Sequence, residues 1–235
     1  MIIWIINPYA VPPTLGGLNR HYFFKKYLRK NGHDVYVFSS SAVYNRNTNL
    51  FTKHEKGLFK KIVFDDEEMI FVKAPSRSGI VKRLFSIHSF CKRVRKIAKK
   101  GFFKKPDIIY VSVSPEFEIG FLGAKLKKIF KCPLVIELRD LYPDTLVSLN
   151  VIKRKSFLYR FLSFLSKKML YCSDSLVFTM DGGKQYVVDK KMDVGHGGNI
   201  DLNNVYIINN GVDLDYFRIR ENISYNDPDL DDKNI

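Results

Sequence analysis

The sequence is poor in everything that would mark a secreted, metal-held or membrane-spanning chain. Three cysteines stand among its 235 residues, Cys91, Cys132 and Cys172. They are far apart and form no CxxC pair, which leaves no thiolate set for zinc. Their odd number fits a reducing compartment. Met1 to Asn7 lacks the basic start and the apolar length of a secretory leader. No charge-free apolar run reaches about 18 residues, so no transmembrane helix is expected. There is no GxGxxG after the first apolar run and no GxxxxGK[ST], which removes the dinucleotide fingerprint and the P-loop. The histidines, His21, His33, His54, His88 and His196, show no ligand spacing, and no metal is expected. Acidic residues are also scarce: Asp+Glu number 24 against 39 Lys+Arg, giving a net charge of +15.

What is present is the composition of a globular protein, 46% hydrophobic and 27% charged. The length suits one large domain or two small ones, with a substantial core. Ile2 to Ile6 is a continuous β-branched run, the mark of a strand covered on both faces. A Pro- and Gly-rich loop follows to Gly17, then a helix from Leu18 to Lys30 stopped by Asn31-Gly32. Strands are expected at Val35–Phe38, Met69–Val72, Asp107–Val113, Leu134–Leu138, Leu176–Phe178 and Val205–Ile208. Helices are expected at Ile80–Lys100, Glu116–Phe130, Lys153–Tyr171 and Gly182–Lys190. Residues 39 to 68 read as a long polar loop with a short hairpin. In the helix Ile80–Lys100, the residues Ile80, Leu84, Ile87, Cys91, Val94 and Ala98 share one apolar face. The glycine-rich stretch Gly195 to Gly198 reads as a flexible loop. This alternation predicts an α/β fold with a doubly wound, mostly parallel, Rossmann-like sheet. The domain is expected to span 1–217, with 218–235 an acidic, disordered tail.

In such sheets ligands bind beyond the carboxyl ends of the strands. Four segments fall there. Gly16 and Gly17 precede a helix and let backbone N–H groups approach an anion, or serve only as a turn. Ser114, Pro115 and Glu116 stand where a strand meets a helix, either as a plain cap or as a binding turn. Glu137, Arg139, Asp140 and Asp144 gather three carboxylates and a guanidinium after the fifth predicted strand. Asn209-Asn210-Gly211-Val212-Asp213 follows the last one, an Asn-Gly turn at the least.

The order of Gly16-Gly17, Asn31-Gly32-His33-Asp34-Val35, Ser114-Pro115, Glu137-Leu138-Arg139-Asp140-Leu141-Tyr142-Pro143 and Asn209-Asn210-Gly211-Val212-Asp213 resembles the N-terminal half of GT-B retaining glycosyltransferases of family 4. Within that family it is most similar to the subgroup of the fucosamine transferase WbuB, which builds bacterial surface polysaccharides. The resemblance covers roughly residues 1 to 217; Tyr142 stands where relatives often have Trp. It implies one half of a GT-B fold, transfer from a nucleotide-sugar donor to a lipid-linked saccharide acceptor, and no metal. It further implies that Gly16 and Gly17 approach the donor diphosphate. Ser114, Pro115, Glu116, Arg139, Asn210 and Gly211 would line the substrates, and Asp140 would orient or deprotonate the acceptor hydroxyl. The family's donor-binding C-terminal half, with its acidic Glu-x7-Glu motif, has no counterpart here. The activity would then need a second chain. The alternatives are a non-catalytic acceptor-binding or membrane-recruiting subunit and an inactive remnant.

The cations are unevenly spread. Ile80 to Lys100 carries Lys82, Arg83, Lys92, Arg93, Arg95, Lys96, Lys99 and Lys100 with no carboxylate. Thr145 to Ser173 carries Lys153, Arg154, Lys155, Arg160, Lys167 and Lys168, again with none, interleaved with Phe157, Leu158, Phe161, Leu162, Phe164 and Leu165. Such helices either show a charged face to water or meet an anionic leaflet, where each cation near the surface adds about 1 kcal/mol. Lys82, Arg83, Lys92, Arg93, Lys96, Lys153, Arg154, Lys155, Lys167 and Lys168 are expected to face a membrane. The chain is then cytoplasmic and peripheral on the inner face of the cell membrane. Nucleic acid is the rival partner for such charge. No helix-turn-helix, RRM or zinc finger is present, so no specific nucleic acid is expected.

Overall fold

The computed structural model describes residues 1–43, 48–52, 54–76, 79–114 and 116–216. The expected acidic tail, 218–235, lies outside the described residues, as does Pro115. Eight strands form one sheet: β1 (Ile2–Ile6), β2 (Asp34–Ser40), β3 (Phe59–Phe64), β4 (Glu67–Val72), β5 (Ile108–Val113), β6 (Leu134–Leu138), β7 (Ser175–Phe178) and β8 (Val205–Ile207). Their order across the sheet is β3-β4-β2-β1-β5-β6-β7-β8. All neighbours run parallel except β3, which pairs antiparallel with β4.

Six helices connect them: α1 (Arg20–Lys30), α2 (Ile80–Lys100), α3 (Phe117–Phe130), α4 (Asp144–Ser148), α5 (Phe157–Leu170) and α6 (Gly183–Asp189). α1 lies on one face, with Tyr22 and Phe23 packed on Ile3, Ile5, Val35, Val37, Met69 and Phe71. The other face carries α2, α3, α5 and α6, through Phe90, Val94, Leu122, Met169 and Val187 among others. This division follows from handedness. The chain moves from β1 outward to β2, then returns through α2 to β5 on the other side of β1. Right-handed crossovers in opposite directions put their helices on opposite faces. The reversal makes the gap between β1 and β5 the topological switch point.

Packing is tight where helices meet. A Cβ at Gly120 of α3 would overlap the side chain of Met169 on α5, and one at Gly183 would overlap the Phe178 ring. Trp4, fully buried, stacks its ring among Phe38, Phe103 and Phe130 at 4.8, 6.3 and 5.0 Å. Its Nε1–H donates to the Lys104 carbonyl at 3.1 Å.

The structure departs from the sequence reading in several places. The short hairpin expected within residues 39–68 is β3 paired with β4 through a turn at Asp65 and Asp66, both at positive φ, but its second strand is continuous with the strand expected at Met69–Val72. Leu84 is exposed rather than part of the buried face of α2, which instead turns Ser86, Ile87, Ser89 and Phe90 inward. Residues 194–198 are not a loose loop. They form a short 3-10 turn (Val194–His196) fastened by Asp193, whose carboxylate is 2.9 Å from His196 Nδ1. No helix among the described residues is long and apolar enough to cross a membrane.

Candidate functional site

The carboxyl end of β1 runs into Asn7-Pro8-Tyr9 at the switch point, and these residues link two polar clusters. Asn7 is fully buried. Its Oδ1 accepts the Tyr9 backbone N–H at 2.9 Å, and its Nδ2 lies 3.0 Å from His21 Nδ1.

The first cluster lies on the α1 face. His21 Nε2 lies 3.0 Å from Glu137 Oε1, Tyr110 donates its hydroxyl to Glu137 Oε2 at 2.7 Å, and Arg20 Nε donates to the same oxygen at 2.8 Å. Glu137 has no solvent exposure. Burial would raise its carboxyl, but His21, Arg20 and Tyr110 outweigh that and hold it well below the usual carboxylate range. Arg20 also donates to the carbonyls of Ile208 and Asn209 at 2.6 and 2.8 Å, and to Asn210 Oδ1 at 3.3 Å. The first residue of α1 therefore brings the Gly16-Gly17 loop beside the Asn210-Gly211 turn. Both glycines are exposed, at φ 64° and 100°, conformations costly for any other residue. No side chain caps α1; the Tyr22 and Phe23 N–H groups donate to the Asn19 carbonyl, which leaves those of Arg20 and His21 for an anion. Within the next two turns, Lys26 Nζ bonds Asp213 Oδ2 at 2.8 Å and Phe23 packs edge-on against Tyr216 at 5.7 Å.

The second cluster lies on the other face, between β1, α2 and the start of α3. Tyr9 donates its hydroxyl to Glu116 Oε1, and Arg83 bonds the same oxygen through Nη2 and, at 3.1 Å, through Nε. Arg83 Nε also reaches the Tyr9 hydroxyl at 3.1 Å. The guanidiniums of Arg83 and Arg139 lie over the Tyr9 ring, 5.6 and 5.9 Å from its centre. Glu116 Oε2 and Arg139 Nε are buried without a hydrogen-bond partner. Arg139 pairs with no described carboxylate. A buried acceptor and a buried donor left open in one place are unusual in a folded chain and mark a site for a polar ligand. A groove of about 500 Å³ opens at Glu116, lined also by Arg83, Leu84, Ile87, Phe117, Tyr142 and Leu162.

Several expected site residues are rearranged by this geometry. The carboxylates after β6 do not converge. Glu137 points to the α1 face, because alternate strand residues face opposite sides. Asp140, exposed, accepts the Ser114 hydroxyl. Asp144 bonds Lys190 Nζ and the Tyr159 hydroxyl at 2.7 and 2.9 Å, which tie α4 to α5 and α6. Ser114 is not the cap of α3; Glu116 holds that position. Arg83 is turned inward to Glu116 instead of facing a membrane. Arg154 lies 3.3 Å from Asp144 though it remains largely exposed. Lys82, Lys92, Lys96, Lys153, Lys155 and Lys168 are exposed, while Arg93 bonds back to Ser89 and Lys167 is half-buried. Sequence reading missed Arg20, Tyr9 and the inward role of Arg83. Only Arg20 left a trace, as the first charged residue after the glycine pair.

No family model and no curated protein sequence matches the chain. Solved structures do. The catalytic domain of starch synthase IV from Arabidopsis thaliana, bound to ADP and acarbose, matches with a TM-score of 0.51 at 15% identity. The match covers 91% of this chain and 52% of that one. The fold is one Rossmann-like half of a GT-B architecture. UGT89C1 of Arabidopsis thaliana complexed with UDP gives a TM-score of 0.46 at 12% identity, over 89% of this chain and 48% of that one. The UDP-GlcNAc 2-epimerase of Methanocaldococcus jannaschii gives 0.45 at 12%, over 88% and 45%. The chain spans about half the length of the solved structures it matches.

Proposed function

We propose that this chain is the acceptor-side half of a family 4-like glycosyltransferase. It serves transfer from a nucleotide-sugar donor to a lipid-linked saccharide in bacterial surface-polysaccharide assembly, such as O-antigen or capsule. The donor is a co-substrate, and no metal takes part. The observation that carries this reading is the open pair at the switch point, Glu116 Oε2 and Arg139 Nε, beside the Arg83–Tyr9 stack. A guanidinium with an unused N–H suits a phosphate or a sugar hydroxyl, and a carboxylate oxygen suits a hydroxyl that must be oriented. In this reading Asp140, exposed at the same strand ends, orients or deprotonates the acceptor hydroxyl. Gly16, Gly17 and the start of α1 form a second anion-binding edge, beside Asn210 and Gly211, that suits the donor diphosphate. The cationic helices hold the protein to the anionic inner face of the cell membrane, where a lipid-linked acceptor is found.

The test is transfer of a labelled sugar to a short-chain lipid diphosphate saccharide, after a donor-binding domain has been joined beyond Tyr216. Arg139→Ala and Asp140→Asn should each lower transfer at least about 100-fold while leaving thermal unfolding unchanged, as expected for groups used only in the reaction. Full transfer by both variants would remove these residues from the mechanism.

A further inference from the structure

α2 and α5 bury serines among their inward residues and show large apolar side chains outward. A helix lying on a sheet normally turns its apolar side inward and its polar side to water. Here Ser86 and Ser89 of α2 and Ser166 of α5 are buried, and Ser163 Oγ is buried without a partner. The outer side carries Val81, Leu84 and Phe85 on α2 and Phe157, Phe161 and Phe164 on α5. Their exposures run from 48% to 83%. Residues 81, 84 and 85 share one helix stripe, as do 157, 161 and 164. The two stripes border one groove: Leu84 of the α2 stripe lines it, and so does Leu162, the neighbour of Phe161 on α5. Together they make one exposed apolar crest, larger than the scattered apolar residues of an ordinary surface.

We propose that this crest inserts into an anionic lipid leaflet and seats the strand-end groove directly against it. The proposal deepens the membrane part of the proposed function and rests on that reading. The occupant follows from charge. Lys82 and Lys92 flank the apolar stripe of α2; Lys153, Lys155 and Lys168 flank that of α5, and neither helix contains a carboxylate. Glu118, which lines the groove, is engaged by His88 at 2.9 Å, and Asp144, at the start of α4, by Lys190 and Arg154. A second copy of this face would bring cations against cations. A leaflet with anionic headgroups and an apolar interior answers both features at their own depth. Seated in this way, the groove leads from the leaflet surface to Arg83 and Glu116. An anionic headgroup could reach them while its lipid stayed in the bilayer.

Flotation of the full chain with vesicles tests this, using phosphatidylglycerol–phosphatidylcholine or phosphatidylcholine alone, at low and high salt. Binding to the anionic vesicles should keep a salt-resistant part. Phe157→Ser with Phe161→Ser should weaken that part at least about tenfold and leave thermal stability unchanged, because both side chains are exposed. Lys153→Glu with Lys155→Glu should remove mainly the salt-sensitive part. In the Phe161→Trp variant the introduced indole should be quenched by brominated acyl chains, while that of buried Trp4 is not. Salt-resistant binding undiminished by the serine variants, or an unquenched indole in bound Phe161→Trp protein, would overturn the proposal. So would self-association, or salt-sensitive RNA or DNA binding, that needs the phenylalanines in a chain that ignores vesicles. Transfer to a water-soluble acceptor should be unaffected by Phe157→Ser. Loss of transfer with docking intact would reject the enzymatic reading and leave the surface standing.

Discussion

Arg20 Nε lies 2.8 Å from Glu137 Oε2, and the same guanidinium holds the carbonyls of Ile208 and Asn209. One side chain thus joins the first helix, a central strand and the exit of the last strand. Arg20→Ala should destabilise the fold by about 3 kcal/mol, because it leaves a buried carboxylate short of a partner. Urea unfolding measures the loss. Amide exchange should rise at residues 207–211 in the same variant; an unchanged exchange pattern would show that the turn is held by other contacts.

Glu137 also sets an acid sensitivity. Its folded carboxyl titrates well below its unfolded value, so the unfolded chain binds the extra proton as pH falls. Its stabilising contribution is complete above about pH 5, and it declines as pH drops through the unfolded value of about 4.3 and toward the lower folded one. Glu137→Gln should be less stable near neutrality and should show a shallower loss of stability below that pH. Urea midpoints measured across the acid range would reveal it, and parallel curves for the two proteins would refute it.

Two glycines offer opposite expectations. A Cβ at Gly198 would overlap the backbone carbonyl of Met192, which cannot swing away, whereas one at Gly211 meets nothing within 4 Å. Gly198→Ala should cost about 1–3 kcal/mol or more, while Gly211→Ala should stay within about 0.5 kcal/mol. The second variant can therefore carry a transfer assay without a folding defect to confuse it.

Ser156 caps α5 by accepting the Tyr159 N–H at 3.2 Å. Ser156→Ala should cost about 1 kcal/mol. The loss should appear in exchange at residues 157–160 before it appears elsewhere.

The single tryptophan gives a direct readout of the core. Trp4 is sealed among three phenylalanines, so its emission should be blue-shifted and should move red in one step with global unfolding. A red shift that preceded the loss of helical signal would show that β1 opens separately.

Most of this architecture was legible in the residues. Ile2–Ile6 announced a central parallel strand, and each later apolar run took its place in the same sheet. Three features escaped for physical reasons. The hairpin expected within residues 39–68 could not be placed strand by strand, because Asp65-Asp66 makes the β3–β4 turn without the Asn-Gly pair that usually signals one. Leu84 fitted the helical spacing of a buried face, but the face of α2 nearest the sheet includes serines, and periodicity cannot tell which apolar stripe a helix hides. Glu137, Asp140 and Asp144 are close in sequence yet serve three separate places, since a strand, a turn and a short helix point them apart. The pairs that make the switch-point site, Tyr9 with Glu116 and Arg83 with Glu116, join distant parts of the chain. Spacing along a sequence carries no sign of them.

Lys26 and Phe23 grip Asp213 and Tyr216 just as Arg20 grips the exit of β8. The chain as far as Tyr216 is thus clamped along the first two turns of α1, not dangling from a sheet edge. Anything joined beyond that point takes its bearing from this helix. A twist applied there would be delivered, through the first turns of one stiff rod, to the glycines that lead into it.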